Sequence, residues 1–323
     1  MQSPPSPRTK TRQTRIVARR KKGRDVDGVI LLDKPLGLSS NHALQRVRRA
    51  FDARKAGHTG SLDPLATGLL PICLGEATKL SSYLLESDKH YRVTARLGYE
   101  TTTGDAEGEM SRASDVDMPT GVALDTLLAG FVGPQQQIPP MYSALKVDGK
   151  PLYEYAREGQ TIERAPRPIT VHSVELVEAG DGRLTLDVAV SSGTYVRTLV
   201  EDIARAWGGC AHVAALRRTR VGPLGFERPM IDLEQIESAA NEDPARLGNW
   251  LQPISSLIAD WPRVRLDSEQ TEAVLHGQRL RGDWEAGDTL VRLESDDGLL
   301  LGLGRCEIEG ELRPKRLFAR PQP

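Results

Sequence analysis

The chain has 323 residues, of which 39% are hydrophobic and 27% are charged. This composition is typical of folded protein and excludes disorder over the whole length, which is long enough for two folded units. The longest stretch without a charged residue, 126–145, contains three prolines, which excludes a membrane-spanning helix there. The three cysteines lie far apart, so we expect no disulfide framework and no paired-cysteine zinc site, as is usual in a reducing cytoplasm.

The net charge of −1 hides a basic N-terminal tail. Residues 1–24 contain nine Lys or Arg and no acid, whereas the rest of the chain contains 34 basic and 44 acidic side chains. The tail also has three prolines and few apolar residues, so we predict that residues 1–26 are disordered and attract polyanions. The segment lacks the apolar core of a secretion signal. An organelle transit peptide is an alternative; we favour a solvated tail that assists nucleic-acid binding.

The first ordered elements are predicted from an apolar run and a helical period. Residues 28–33 (GVILLD) indicate a strand, and a helix capped by Ser39 or Ser40 follows, because the next apolar residues recur at helical spacing. The stretch 57–68 is rich in glycine and has neither a helical nor a strand period. We therefore expect a loop at 57–68, and a loop of this kind usually has a functional reason.

Two strands and one helix are predicted between residues 90 and 207. Apolar and polar residues alternate over 90–98 and over 184–190, as in half-buried strands. Residues 196–207 place their apolar side chains on one stripe of a helix. Strands of period two mixed with helices favour an α/β or α+β domain, without the regular alternation of a dinucleotide-binding sheet.

The last part of the chain has a different pattern. Residues 233–262 are polar and interrupted by three prolines. Three short strands are predicted after them, at 289–294, 299–306 and 311–318, with turn residues between. This pattern predicts a small β-barrel or sandwich of about sixty residues.

Several catalytic motifs are missing from the sequence. It contains no GxxxxGK[ST] phosphate loop, no GxSxG nucleophile turn, no HExxH zinc motif and no HxE. The enzyme classes that depend on these motifs, the zinc nucleobase deaminases among them, are therefore excluded.

One carboxylate lies in the glycine-rich stretch. Asp63 is followed by Pro64, so it could cap a helix whose first residue is that proline. The loop could instead present the carboxylate to a cleft. Local sequence does not separate these two interpretations.

A resemblance to a known family extends from this segment along the chain. The letters GHTGSLDPLATG at 57–68, continued by LLPICLGEATK, closely resemble the catalytic motif of the TruB family of pseudouridine synthases. Four further segments agree in order: DKPLGLSS at 33–40, KHYRV at 89–93, MYSALK at 141–146 and SGTYVR at 192–197. LRPKR at 312–316 resembles the end of a PUA domain, an RNA-binding β-barrel. The match covers about residues 27–320.

The resemblance implies an α+β fold. A mixed, largely antiparallel sheet would form the catalytic domain, with the pseudouridine synthase fold, and a PUA-like β-barrel would follow it. The implied boundaries place the basic tail at 1–26, the catalytic domain at 27–255 and the PUA-like domain at 256–323. Residues 139–168 match a thumb-like RNA-binding insertion in the catalytic domain.

The family isomerises the T-loop uridine of tRNA that is conventionally numbered 55. The reaction breaks the N1–C1′ bond, rotates the uracil and joins C5 to C1′ without redox change, so neither a cofactor nor a metal is expected. Asp63 matches the catalytic aspartate. It could add to C1′, add to the base or deprotonate C2′ to give a glycal. Each route needs an ionised carboxylate, which an adjacent cation would favour by lowering its pKa.

The resemblance assigns substrate-binding roles to Tyr91, Tyr195, Arg197, Leu216 and His58. Arg197 matches the cation beside the aspartate, Tyr91 the residue that stacks on the base, and Leu216 an apolar wall of the uracil pocket. His58 matches the residue that fills the space left when the base flips out of the RNA loop. Considered alone, the arginine could lie on the surface at a helix start, the histidine could be structural or exposed, and the other three could be core residues.

Further positions are implied in supporting or RNA-binding roles. Lys34 and Asp105 match supporting positions near the site, although a surface turn explains Asp105 equally well. Lys146, Lys150 and Arg157 match RNA-binding positions of the insertion. Because the insertion also contains four acids, it is not a simple basic patch.

We therefore expect a stand-alone cytoplasmic tRNA pseudouridine synthase. It would bind the T-stem-loop as a monomer, without membrane attachment or an obligate protein partner. A relative that works inside a guide-RNA particle, as dyskerin-like proteins do, is one alternative, and activity of the purified chain on naked tRNA would exclude it. An RNA chaperone or binding module without catalysis is another, against which the presence of Asp63, Tyr91 and Arg197 argues.

Overall fold

The structure of the chain is a computed structural model that describes residues 23–225, 227–284, 287, 289–307 and 310–322. Most of the predicted basic tail, residues 1–22, lies outside the described residues. Within these ranges, no helix has both the length and the apolar character needed to cross a membrane.

The described residues form strands, α-helices and short 3₁₀-helices. The strands are β1 (Gly28–Lys34), β2 (Ala56–His58), β3 (Ala66–Leu74), β4 (Lys89–Leu97), β5 (Tyr99–Thr101), β6 (Met110–Ala113), β7 (Gly133–Gln137), β8 (Lys146–Val147), β9 (Lys150–Pro151), β10 (Arg167–Gly180), β11 (Arg183–Val190), β12 (Ala211–Val221), β13 (Ile231–Asp232), β14 (Arg263–Leu266), β15 (Leu280–Arg281), β16 (Thr289–Ser295), β17 (Leu300–Cys306) and β18 (Glu311–Gln322). The α-helices are α1 (Ser40–Ala50), α2 (Ser81–Leu85), α3 (Val122–Ala129), α4 (Leu152–Arg157), α5 (Val196–Ala206), α6 (Leu233–Glu242) and α7 (Ser268–Leu275). The 3₁₀-helices are Gly75–Lys79, Pro244–Trp250 and Ile254–Ile258.

Nine strands form the central sheet. Their order is β13-β1-β3-β12-β4-β11-β10-β7, with β2 paired to β3. The pairs β1–β13 and β3–β12 are parallel, and the other six pairs of this sheet are antiparallel. The sheet is therefore mixed and largely antiparallel, and with the helices that cover it the fold is α+β, as predicted.

Strand β1 shows that the sheet is covered on both faces. Ile30 and Leu32 belong to a buried cluster that also contains residues of α1, α5 and α6. Val29 and Leu31 belong to a second cluster, which contains residues of β17 and of the 3₁₀-helix Ile254–Ile258. A strand that is covered on both sides is apolar at successive positions, which explains the run that begins at residue 28.

Five strands near the C-terminus form a second sheet, in the order β14-β16-β17-β18-β15. Its own buried cluster includes Leu293 and Leu312, and α7 contacts β14 and β15. The predicted strands at 289–294, 299–306 and 311–318 correspond to β16, β17 and β18. This sheet agrees with the predicted PUA-like domain.

Two features of the central sheet differ from the sequence-based predictions. The stretch 57–68 is a loop only in its middle, because β2 ends at His58 and β3 begins at Ala66. Strand β12 has no counterpart among the predictions, although it lies at the centre of the sheet. Its buried positions include Arg218 as well as Leu216. A buried arginine interrupts the alternation of apolar and polar residues from which a strand is recognised.

Candidate active site

The loop between β2 and β3 is held to helix α1 and carries Asp63. The buried Ser40 hydroxyl accepts a hydrogen bond from the Leu62 N–H (2.7 Å) and donates one to the Leu62 carbonyl (3.0 Å). The Asp63 carbonyl accepts a hydrogen bond from the N–H of Ala66 (3.0 Å), the first residue of β3. Because the chain passes from this turn into a strand, the interpretation of Asp63 as a helix cap is wrong.

Asp63 lies beside a buried cation. Its Oδ2 is 3.0 Å from Arg197 Nε, and Arg197 is only 5% exposed. Arg197 Nη1 donates to the Thr103 carbonyl (2.6 Å), and Nη2 donates to the Tyr142 carbonyl (2.8 Å). Each nitrogen of the guanidinium thus has an acceptor, which restricts the group to one orientation. The interpretation of Arg197 as a surface residue is wrong.

A second carboxylate shares this arginine. Asp105 Oδ2 is 3.7 Å from Arg197 Nη1, and Asp105 Oδ1 accepts hydrogen bonds from the Thr103 hydroxyl (2.5 Å) and the Glu107 N–H (3.1 Å). Asp105 is buried, so the interpretation of this residue as part of a surface turn is wrong. Its hydrogen bonds hold it where its charge acts on both members of the Asp63–Arg197 pair.

The protonation state of Asp63 depends on opposing effects. Burial raises the pKa of the Asp63 carboxyl, Arg197 lowers it, Asp105 raises it further and Lys34 lowers it. The Asp63 side chain nevertheless keeps 44% of its exposure, because it opens onto a cavity. Solvent access through the cavity limits the effect of burial. The net effect is a pKa above the ordinary value of an aspartate, and Arg197 at 3.0 Å favours the charged form.

Lys34 connects Pro64, the residue after Asp63, to the turn that follows β1 through hydrogen bonds. This fully buried lysine donates hydrogen bonds from Nζ to the carbonyls of Pro35 (2.9 Å), Leu38 (2.5 Å) and Pro64 (3.4 Å). Burial lowers the pKa of Lys34 to about 8, with Asp63 acting in the opposite direction. The lysine therefore contributes both a mechanical link and a positive charge near Asp63.

A cavity of 360 Å³ lies next to Asp63, within the size range of small-molecule sites. Tyr91, Tyr195, Arg197 and Leu216 line it together with Asp63. The register of β4 and β12 brings Tyr91 and Leu216 to one wall of the cavity, because Leu216 pairs with Val93 and Arg218 with Tyr91, whereas Tyr195 and Arg197 lie at the start of α5. Leu216 also belongs to the buried cluster of the sheet, and the partly buried Tyr91 packs against that cluster.

Tyr195 is held in place through its backbone. Its N–H donates to Gln137 Oε1 (2.8 Å), and Gln137 Nε2 donates to its carbonyl (3.1 Å). Gln137 is itself buried at the end of β7, so this pair of bonds joins the start of α5 to that edge strand. Burial raises the pKa of the Tyr195 phenol, which is therefore neutral at physiological pH.

His58 lies near the cavity and is not among the residues that line it. It is the last residue of β2, and its Nδ1 accepts a hydrogen bond from the Gly60 N–H (3.3 Å). Burial lowers the pKa of the imidazole, and the Arg218 charge lowers it further. A neutral ring is consistent with an acceptor at Nδ1.

The predicted RNA-binding residues of the insertion lie away from Asp63. The ammonium of Lys150 and the guanidinium of Arg157 each lie over a tyrosine ring of the insertion, 4.5 Å and 5.2 Å from the ring centroids. Lys146 is exposed at the start of β8. The insertion reaches the cavity instead through Ser143 and Ala144.

Sequence reasoning missed two residues of the cavity wall, Lys89 and Arg218. Both are buried cations, and burial lowers the pKa of Lys89 to about 8. The signals were available, because Lys89 begins the segment KHYRV and Arg218 lies two residues after Leu216. Strand period two would have placed Arg218 beside Leu216, had residues 211–221 been recognised as a strand.

The described residues offer no metal site. No group of three or more His, Cys, Asp or Glu side chains in this part of the chain could hold a metal ion. Cys73, Cys210 and Cys306 are free and buried.

Three family models match consecutive parts of the chain. Residues 48–196 match the N-terminal domain of the TruB family of pseudouridylate synthases. Residues 197–259 match the C-terminal domain of tRNA pseudouridylate synthase B, and residues 262–318 match the C-terminal part of pseudouridine synthase II TruB.

Curated relatives align with nearly the whole chain. The tRNA pseudouridine synthase B of Nitrosococcus oceani is 50% identical over 300 residues, which cover 93% of this chain and 97% of the relative. The protein of the same name from Cupriavidus metallidurans is 53% identical over 305 residues, covering 91% and 95%.

Solved structures of similar fold include a chain of a protein complex and a chain of a ribonucleoprotein. A chain of a Cbf5–Nop10–Gar1 complex has a TM-score of 0.70 and 27% identity, covering 88% of this chain and 79% of that chain. A chain of an H/ACA RNP bound to a substrate RNA has a TM-score of 0.70 and 23% identity, covering 94% and 92%. The second likeness concerns the fold alone.

Proposed function

The chain belongs to the TruB family of pseudouridylate synthases, which are isomerases, and we propose that it converts a T-loop uridine of tRNA to pseudouridine with Asp63 as the catalytic residue. The tRNA substrate follows from the curated relatives, which are tRNA pseudouridine synthases at 50% and 53% identity. The T-loop position follows from the resemblance of the segment around Asp63 to the family's catalytic motif.

One observation carries the proposal. The Asp63 carboxylate is paired with Arg197 at 3.0 Å and opens onto a cavity bordered by Tyr91, Tyr195 and Leu216. Aromatic and apolar walls would suit the two faces of a pyrimidine, and Asp63 is the one carboxylate among the described residues that line the cavity. An ion pair that protects the charged form of Asp63 serves each of the possible routes.

The reaction needs no group beyond these side chains. The N1–C1′ bond breaks, the uracil turns within the cavity, and C5 joins C1′; the C5 proton is lost and N1 gains one, so atoms and electrons balance. Asp63 could add to C1′, add to the base or remove a proton from C2′. Tyr91, which lines the cavity, would stack on the base and take part in removing the C5 proton.

A uridine in a folded RNA loop is stacked and cannot reach a buried carboxylate. We propose that it flips out of the loop into the cavity, at a cost of a few kcal/mol. His58, close to the cavity but outside its lining, would fill part of the space that the base leaves. Leu216, in the wall, would contact the flipped uracil.

The remaining parts of the chain are proposed to bind the RNA outside the loop. Lys146, Lys150 and Arg157 of the insertion 139–168 would contact the RNA backbone, while the Tyr142 carbonyl of the same insertion holds Arg197. Residues 256–323 would form the second RNA-binding unit and residues 27–255 the catalytic one. We further propose that the chain acts as a cytoplasmic monomer.

The solved structures keep one alternative open. The Cbf5 chain of similar fold is found in a complex with Nop10 and Gar1. The alternative hypothesis is therefore an enzyme that depends on partner proteins. Identity of 50% to a tRNA pseudouridine synthase, against 27% to the Cbf5 chain, favours a stand-alone enzyme.

The test is tritium release from an unmodified tRNA transcript labelled at uridine C5. Purified wild-type chain, with no added protein or cofactor, should release tritium in proportion to the target uridine, and Asp63→Asn should release none. A transcript in which only the T-loop uridine is replaced by cytidine should give no release. Release that persists from that transcript would overturn the T-loop assignment. Release that requires added partner proteins would favour the particle alternative.

A further inference from the structure

Arg218 is a fully buried arginine that neither the motif resemblance nor the proposed chemistry uses. It is 1% exposed on the central strand β12. Its Nε donates to the Leu69 carbonyl (2.8 Å), its Nη2 to the Gly60 carbonyl (3.0 Å) and its Nη1 approaches the Ser61 carbonyl (3.4 Å). The guanidinium thus joins the strand after the Asp63 loop to two residues of the loop itself.

The same guanidinium lies beside Tyr91. Arg218 and Tyr91 are direct partners in the register of β12 and β4, so their side chains are neighbours on one face of the sheet, and both line the cavity. Arg218 therefore bonds to the loop that carries Asp63 and lies next to the tyrosine proposed to stack on the base.

Burying this charge is costly, and no acid offsets the cost. Among the described residues, no carboxylate forms an ion pair with Arg218, and burial lowers the pKa of its guanidinium. A buried charge without an ionic partner is rarely kept for stability, since an apolar residue in its place is often neutral or stabilising. The hydrogen bonds of this charge go to the carbonyls of Gly60, Ser61 and Leu69.

A phosphate-binding role for this buried cation is less consistent with its contacts. Its neighbour Lys89 donates to the carbonyls of Leu84 (3.3 Å) and Leu85 (2.6 Å) and also to that of Ser87, so its three donors are already used. Each nitrogen of Arg218 likewise donates to a carbonyl, so an anion would have to share these nitrogens with the Asp63 loop and β3.

Loop geometry adds to the case. Gly60 has φ +132°, and a Cβ built there would lie 3.5 Å from Arg218 Nη1. The loop therefore passes close to the guanidinium in a conformation that side-chain-bearing residues rarely adopt. Glycine adopts this conformation without strain, and the loop there can approach the guanidinium closely enough for Arg218 to bond to the carbonyls of Gly60 and Ser61.

We propose that Arg218 is a positioning residue for the isomerisation. It fixes the Asp63 loop and the Tyr91 ring relative to each other, so that the carboxylate and the stacking surface meet the flipped uracil in one arrangement. The inference rests on the proposed function for its effect on rate, but its effect on the loop does not depend on that function.

The adjacent arginine supplies a matched control. Arg217 is on the same strand and forms bonds to the two carboxylate oxygens of Asp33 (3.0 and 2.6 Å), with a side chain that is 38% exposed. Arg217→Lys and Arg218→Lys make the same chemical change one residue apart. Arg218→Lys changes the contacts to the Asp63 loop and beside Tyr91. Arg217→Lys changes only the pairing with Asp33.

The first readout is the single-turnover rate with saturating tRNA, measured beside tRNA affinity. A small displacement of catalytic groups can reduce a rate by on the order of a hundredfold, so Arg218→Lys should lose about that much while the tRNA Kd changes by less than about threefold. Arg217→Lys should keep a wild-type rate. A wild-type rate in Arg218→Lys, or a loss confined to Kd, would overturn the proposal.

The second readout is amide hydrogen exchange of a peptide that contains residues 59–63. Exchange there should accelerate in Arg218→Lys and not in Arg217→Lys. Unchanged exchange in Arg218→Lys would contradict the proposal that Arg218 fixes the loop. This result would count even if the wild type made no pseudouridine. If Arg218→Lys gives no cooperative melt, Arg218→Met replaces it, because methionine fills the space without a buried charge. A folded methionine variant with wild-type rate and exchange would equally refute the proposal.

Discussion

Arg197 Nε lies 3.0 Å from Asp63 Oδ2, although one residue belongs to helix α5 and the other to a loop between two strands. The arginine is buried and also bonded to two carbonyls, whereas the carboxylate opens onto the cavity. The cation is thus the fixed member of the pair and the carboxylate the accessible one. This asymmetry suits a carboxylate that reacts and an arginine that sets its charge and orientation.

Replacing Asp63 should separate catalysis from binding. We expect Asp63→Asn to abolish isomerisation while tRNA affinity stays within about tenfold, because the residue contacts one nucleotide and not the phosphate backbone. Asp187→Asn is the control, since Asp187 pairs with Arg92 on the exposed side of the sheet. Tritium release measures isomerisation and filter binding measures tRNA affinity. A parallel loss of both would contradict the catalytic role of Asp63.

Removing the buried cation should change the pH dependence. In Arg197→Gln, Asp63 loses the charge that lowers its pKa while burial and Asp105 still raise it. The ionised fraction at a given pH falls, so the acid limb of the rate profile should move to higher pH and part of the lost rate should return as pH increases. A rate reduced equally at every pH would show that Arg197 does not act through the charge of Asp63.

Lys89 should make stability depend on pH in the alkaline range. Its pKa is lowered from 10.5 to about 8 in the folded chain, so between these values the unfolded chain binds more protons. Stability from this group therefore rises with pH across the window, by up to about 1.4 kcal/mol per pH unit. Urea unfolding of Lys89→Met should show a smaller rise from pH 8 to 10 than wild type. Identical slopes would argue against a neutral buried lysine.

Deleting residues 1–24 should weaken RNA binding chiefly at low salt. The segment carries nine basic residues and no acid, and each phosphate contact that is lost reduces the dependence of affinity on salt. We expect tRNA Kd to increase at low ionic strength and the slope of log K against log salt to become shallower. A variant in which the nine residues are changed to glutamine is the matched control for length. An unchanged slope would mean that the tail does not contact the RNA.

Sequence reasoning found most of the site, because the segment around Asp63 and four further segments resemble one family in the same order. Asp63, Tyr91, Tyr195, Arg197 and Leu216 all line the cavity, and the helix start, the alternating strands and the C-terminal strands lie near their predicted bounds. The helix start and the strands follow from local rules, because a capping serine, a period of two and a period of 3.6 are each visible within about ten residues. The site residues came instead from the family resemblance.

What the sequence by itself determined is therefore several of the elements, the family, and five residues that line one cavity, Asp63 among them. The tertiary structure decided which polar residues are buried and what they bind. No local pattern distinguishes Arg217, paired with an exposed acid, from Arg218, buried against carbonyls of the Asp63 loop. The same holds for Asp105. Its sequence context is that of a surface turn, whereas the structure buries it beside Arg197. Burial, and with it the charge and orientation of each group, depends on strands and loops that are distant in the chain and adjacent only after folding.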